Sequence, residues 1–322
     1  MPPPLSGASS LCLPPALPRQ DGVGVPPLHA LHAELLHSLM TETMQSLAHG
    51  NEPVALIAPV MIRQALKVPY LLNQLLALAA LCLSRSRPTQ RDYYHFHATQ
   101  LQTHAISFFN KIDMVLSVEN CASVFLFSSA LGIHMLCETL NFRASDMAVF
   151  LNRFVQSVRL YRAVRTVASQ TQTSLEQSDL GGLWRQGPTL PRGGTPLCEK
   201  YAMLKESITA AKLGPALTTV YTTTIECLQS VVKYKGSLRP PPSAIVAWPV
   251  LVPEGYLECL RLRRPEALVI LAHYAILLHL HRGLWIFGDS GSFLIKSISQ
   301  HLGPEWEGWM DWPQQALESL AG

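Results

Sequence analysis

At 322 residues the chain has room for one large or two small domains, and with 48% apolar and only 15% charged residues it must bury much of itself or offer apolar surface to something else. Its 25 basic and 22 acidic side chains leave a net +3, too small to mark a nucleic-acid protein on charge alone. The seven cysteines, at 12, 82, 121, 137, 198, 227 and 259, form no C-x-x-C pair, which argues against zinc ribbons and dithiol motifs. They fit reduced thiols in an intracellular protein, nuclear or cytoplasmic.

Residues 1–26 are rich in Pro, Gly and Ser and read as a disordered N-terminal tail, without the charged start of a signal peptide. From Leu28 the spacing of Leu31, Leu35, Leu39 and Leu47 predicts one amphipathic helix ending near Gly50. Val54–Leu66 predicts a second, kinked or interrupted at Pro59. Tyr70–Ser84 leaves so little polar face that it reads as a buried helix, and Gln90–Asn110 follows it. Ser117 is a candidate cap ahead of an apolar helix over Val124–Leu140. Ser145-Asp146 caps a long helix from Met147 to about Ser169, with Arg153, Arg159, Arg162 and Arg165 along one side. That row reads either as a solvated face or as a surface for an anion or a partner.

The stretch 178–196 predicts an irregular loop, and Leu197–Leu213 and Ala216–Lys233 predict two helices parted at Gly214-Pro215. A second irregular loop is expected near 237–253, where prolines cluster, before a last helical group from Tyr256. The apolar runs Leu71–Leu83, Val124–Cys137 and Ala267–Leu280 fall short of the ~18–20 residues a bilayer needs, so no membrane span is expected. The fold class is all-α, a single multi-helix domain over 27–322 with a Trp-rich C-terminal segment.

Several short motifs recur in a set order: Glu34-Leu35-Leu36-His37, the Leu75–Leu81 run, and Tyr94-x-x-His97-Ala98 with Leu101-Gln102 and Ala105. Glu119-Asn120-x-Ala122 with Phe127-Ser128, Trp285-Ile-Phe-Gly288-Asp289-Ser290-Gly291 and Gly303-Pro304-Glu305-Trp306 complete the series. Together they resemble the C-terminal ligand-sensing domain of fungal sterol-uptake-control-type Zn2Cys6 transcription factors, over about residues 28–314. The resemblance implies an apolar pocket closed by the C-terminal segment and a hydrophobic small molecule that is sterol-, terpenoid- or polyketide-like. It also implies a transcriptional partner and a possible homodimer. Such regulators carry a six-cysteine zinc cluster that contacts DNA, whereas here only Cys12 lies in the first 81 residues. No direct nucleic-acid binding by this chain is therefore expected; that task falls to another subunit or to an upstream region.

Trp285, Gly288, Asp289, Gly291, Trp306 and Trp309 are the candidate pocket and gating residues. In Gly288-Asp289-Ser290-Gly291 the glycines permit an unusual backbone and Asp289 can cap the helix after it, so the motif reads as a gate or as a plain connecting turn. His273, His279 and His281 lack the i, i+4 spacing of helical metal ligands, so no metal and no cofactor are expected. The alternative function is a secondary-metabolite biosynthetic enzyme, of cyclase or pericyclase type, reusing the apolar pocket. Its candidate catalytic residues are His273, Tyr274, His279 and Asp289, a carboxylate and an imidazole being able to act as a general base.

Overall fold

The computed structural model describes residues 30–48, 52–111, 117, 119–143, 146–169, 196–232 and 240–319, and among them all regular structure is helical. The tail at 1–26 and nearly all of the loop at 178–196 lie outside the described residues. The helices are α1 (Ala30–Ser38), α2 (Met44–Ala48), α3 (Glu52–Ala65), α4 (Pro69–Ser86), α5 (Arg91–Asn110), α6 (Cys121–Asn141) and α7 (Met147–Ser169). They continue as α8 (Pro196–Ala210), α9 (Pro215–Val232), α10 (Pro242–Leu251), α11 (Glu254–Arg261), α12 (Pro265–Leu280), α13 (Ser290–Leu302) and α14 (Glu307–Ser319).

Proline sets several of the starts. Pro69 and Pro265 occupy first-turn positions where an N–H would go unused, and each holds the residue before it, Val68 or Arg264, in an extended conformation. Asp146 starts α7 by accepting the N–H groups of Ala148 (2.6 Å) and Val149 (3.3 Å). At α6 the N-cap position falls on Asn120 and not Ser117, and its side chain does not cap the helix but turns back to accept the Ser117 N–H at 2.9 Å.

Two groups of helices share one core. In the first, α4 lies against α1, α3, α5 and α6, and α6 packs on α7. In the second, α9, α11, α13 and α14 surround α12, which is buried continuously from Ala267 to His279. A helix so apolar on every side can only be central. The 21-residue α6 is, by length and composition, the one described helix able to span a membrane, because it runs beyond the 124–137 stretch visible in the sequence. Yet 72% of its most apolar window is buried within the protein, as befits a core helix.

The groups meet where α7 packs on α10 and α11. Here Arg159 and Arg162 of the arginine row form a clamp at the protein surface: Arg159 is 41% exposed and stays in solvent, and both are engaged by partners within the chain. Arg159 pairs with Glu254 at 2.7 Å, while Arg162 donates to Glu254 (3.1 Å), to the Pro249 carbonyl (3.2 Å) and to the Val252 carbonyl. Arg153 donates to the Phe142 carbonyl, and the side chain of Arg165 lies outside the described set.

Two expectations are corrected. The single helix over 28–47 is broken by a π-turn, Leu39–Thr43, in which the Met44 N–H reaches back five residues to Leu39 and the Thr41 hydroxyl donates to His37 at 2.8 Å. The loop expected near 237–253 contains the helix α10. Pro242 begins it, and Pro249 is tolerated because the carbonyl it leaves without a donor, that of Ile245, accepts the Tyr274 hydroxyl at 3.1 Å. α3 likewise continues through Pro59.

Candidate functional site

The apolar residues that the helices aim inward do not fill all the space between the two groups. A cavity of about 190 Å³ remains, lined by Met44 and Leu47 of α2, Met61 of α3, Leu75 and Leu78 of α4, Phe125, Leu126, Ser129, Ala130 and Ile133 of α6, Pro242, Ser243 and Val246 of α10, and Ile286. The Ser129 hydroxyl donates to the Phe125 carbonyl at 2.9 Å, so it offers no free proton to an occupant. Desolvation of an apolar molecule is what such a lining rewards.

The turn after α12 borders this cavity and fastens it. Trp285 donates its indole N–H to the Ser46 hydroxyl on α2 at 2.7 Å, and Asn141 of α6 donates to the Ile286 carbonyl at 2.6 Å. Gly288 has φ +51°, a conformation that favours glycine, and a Cβ there would fall 2.8 Å from Asn141 Oδ1 and 2.9 Å from an Arg85 nitrogen, side-chain ends that would have to shift. Gly291 serves a different end: its missing side chain lets α13 pass within contact of the α12 backbone at Ala275 and His279. Asp289 stands at the N-cap position of α13 but does not cap it. Its carboxylate binds Arg143 at 2.6 Å, and that guanidinium holds its pKa below the usual carboxylate range. A charged partner outcompetes the neutral N–H groups of the helix end.

The C-terminal tryptophans do not close this cavity. Trp306 and Trp309 pack on each other with ring centres 5.7 Å apart, and Trp309 and Trp312 line a separate open groove of about 850 Å³ between α8 and α14. The expected single pocket is thus two places, because α14 packs chiefly on α12 and α13.

The residues proposed for catalysis are scattered between them. Tyr274 is stacked on Trp248 (4.2 Å) with its hydroxyl bound to Ile245. His273 Nδ1 donates to the Val269 carbonyl at 2.8 Å, and burial pushes its pKa down to about 4, which keeps the ring neutral. His279 is buried with both ring nitrogens unpartnered, its pKa lowered by burial and by Arg282 and Lys296, so Asp289 does not orient it. Among the described residues these four do not assemble a base, its orienting carboxylate and a shared space. No three His, Cys, Asp or Glu residues gather as metal ligands among the described residues.

Sequence reasoning missed most of the cavity lining, since Met44, Met61, Phe125 and Val246 carry no motif. Comparison of the chain with protein-family models, with curated proteins and with solved structures finds no match.

Proposed function

We propose that the chain is a regulatory module that binds a small apolar molecule in the cavity between α2, α4, α6 and α10. The observation that carries this is the lining itself: some fourteen side chains with almost no polar handle around about 190 Å³. Dry cavities of roughly 150 Å³ take up a molecule such as benzene, whereas drug-sized ligands occupy about 300 Å³ or more. The size therefore favours the terpenoid end of the expected range, and a sterol would need the walls to part. The position between two helix groups supports a regulatory reading, since an occupant touching α2, α6 and α10 favours whichever arrangement of them fits it best. The sequence resemblance to fungal sterol-uptake-control-type regulators favours a transcriptional partner as the recipient, with DNA contacted by another region or subunit.

The test is thermal unfolding with and without borneol, a ten-carbon bicyclic terpenoid, alongside native mass spectrometry. Near saturation the midpoint should rise by a few degrees and a one-to-one adduct should appear. Ala130→Phe and Val246→Phe each fill the cavity and should abolish both effects. Absence of any adduct, or an adduct that survives in both variants, would remove the cavity from consideration.

A further inference from the structure

The groove between α8 and α14 has the opposite chemistry. Its floor is His273, only 4% exposed. The Val269 carbonyl can only accept, so Nδ1 carries the ring proton and Nε2 is left as an acceptor with no donor among the described residues. On one wall the Ser207 hydroxyl gives its proton to the Met203 carbonyl at 3.0 Å, leaving lone pairs for any further contact. On the other stand Glu305 and Asp311, neither paired with a cation among the described residues. One cation, Lys200, faces these four acceptors.

Trp309 and Trp312 complete the walls. Trp312 is held edge-on against Tyr201 (5.4 Å) and 5.2 Å from the His273 ring, so an aromatic surface sits directly beside the buried acceptor. Indole faces attract cations, and a recess rich in acceptors lacks what a cation with N–H groups supplies. We propose that this groove binds an organic cation, a protonated amine or guanidinium on an aromatic or aliphatic body, which donates to His273 Nε2 and the rim carboxylates while its body lies against Trp309 and Trp312. The groove shares no lining residue with the apolar cavity, so this site stands or falls separately from it.

The experiment is calorimetric titration of the whole chain with three probes of one shape: tryptamine (cation), tryptophol (neutral alcohol) and indole-3-propionate (anion). Tryptamine should bind at least ten-fold more tightly than tryptophol, and the anion more weakly still. Asp311→Asn and Glu305→Gln sit on the exposed rim and leave packing alone; each should weaken tryptamine several-fold and leave tryptophol unchanged. His273→Phe keeps the ring volume and should weaken both donors. Equal affinity for the three probes, preference for the anion, no binding of any, or tryptamine binding indifferent to both rim variants would each overturn the proposal.

Discussion

The hydroxyl of Tyr274 donates to the carbonyl of Ile245, the very acceptor that Pro249 deprives of its backbone donor. A side chain on α12 thereby completes the hydrogen bonding of α10, and Trp248 stacked on Tyr274 seals the pair from water. Tyr274→Phe should cost about 1–2 kcal/mol, because a buried carbonyl loses its partner. In a Pro249→Ala background the restored N–H at 249 can serve Ile245, so the same change should cost measurably less. Urea denaturation of the four proteins in the double-mutant cycle checks this, and purely additive costs would refute it.

Two glycines separate close approach from mere helix propensity. A methyl group at Gly291 would lie 2.4 Å from the His279 nitrogen and 2.6 Å from the Ala275 carbonyl oxygen, backbone atoms with no room to turn aside. Gly291→Ala should force α12 and α13 apart and cost on the order of 3 kcal/mol. Gly308, near the start of α14, has nothing within 4 Å of where its Cβ would be. There the same substitution should be stabilising, by up to about 1 kcal/mol, as alanine is favoured over glycine in a helix. Denaturation midpoints of the two variants should therefore move in opposite directions.

Acid should weaken the fold before any carboxylate titrates. Burial holds His134 down to about 3 and His273 down to about 4, and lowers His279 as well. Unfolded histidine takes its proton near pH ~6.5. Below that pH the unfolded state binds protons that the native state refuses, so stability is complete above about pH 7 and falls as the pH drops toward 4. His134 and His273 should each contribute a slope of about 1.4 kcal/mol per pH unit over that range. His134→Leu, which also removes a buried nitrogen without a partner, should flatten the curve by one such increment. Urea unfolding at pH 7.5, 6 and 5 measures it; a slope identical to the parent's would mean that His134 is protonated in the native state.

Local signals in the sequence were legible where local chemistry governs. Asp146 and the periodicity after it set α7 at Met147–Ser169, and the all-apolar run after Pro265 marked α12 as central. Signals failed where a distant residue decided the outcome. Five prolines between 237 and 253 hid α10, and the hydroxyl that rescues the Ile245 carbonyl sits 29 residues further along. Asp289 looked like a cap until Arg143, 146 residues earlier, took its carboxylate. The tryptophans read as one group from their closeness in sequence, yet Trp285 faces α2 whereas Trp309 and Trp312 face α8, because α13 intervenes and turns the chain away. The cavity was invisible for the same reason: its walls come from six segments, and absence of filling is a property of none of them alone.

The bond between Trp285 and Ser46 joins residues 239 positions apart. During synthesis at about 5–20 residues per second, α2 emerges on the order of ten seconds or more before the indole that pins it. Through that interval the wall carrying Met44 and Leu47 has no C-terminal fastening. Closure of the cavity is thus a late event, and a chain halted before Trp285 would carry thirteen of its fourteen lining residues without Ile286 or the bond that ties α2 to the turn after α12.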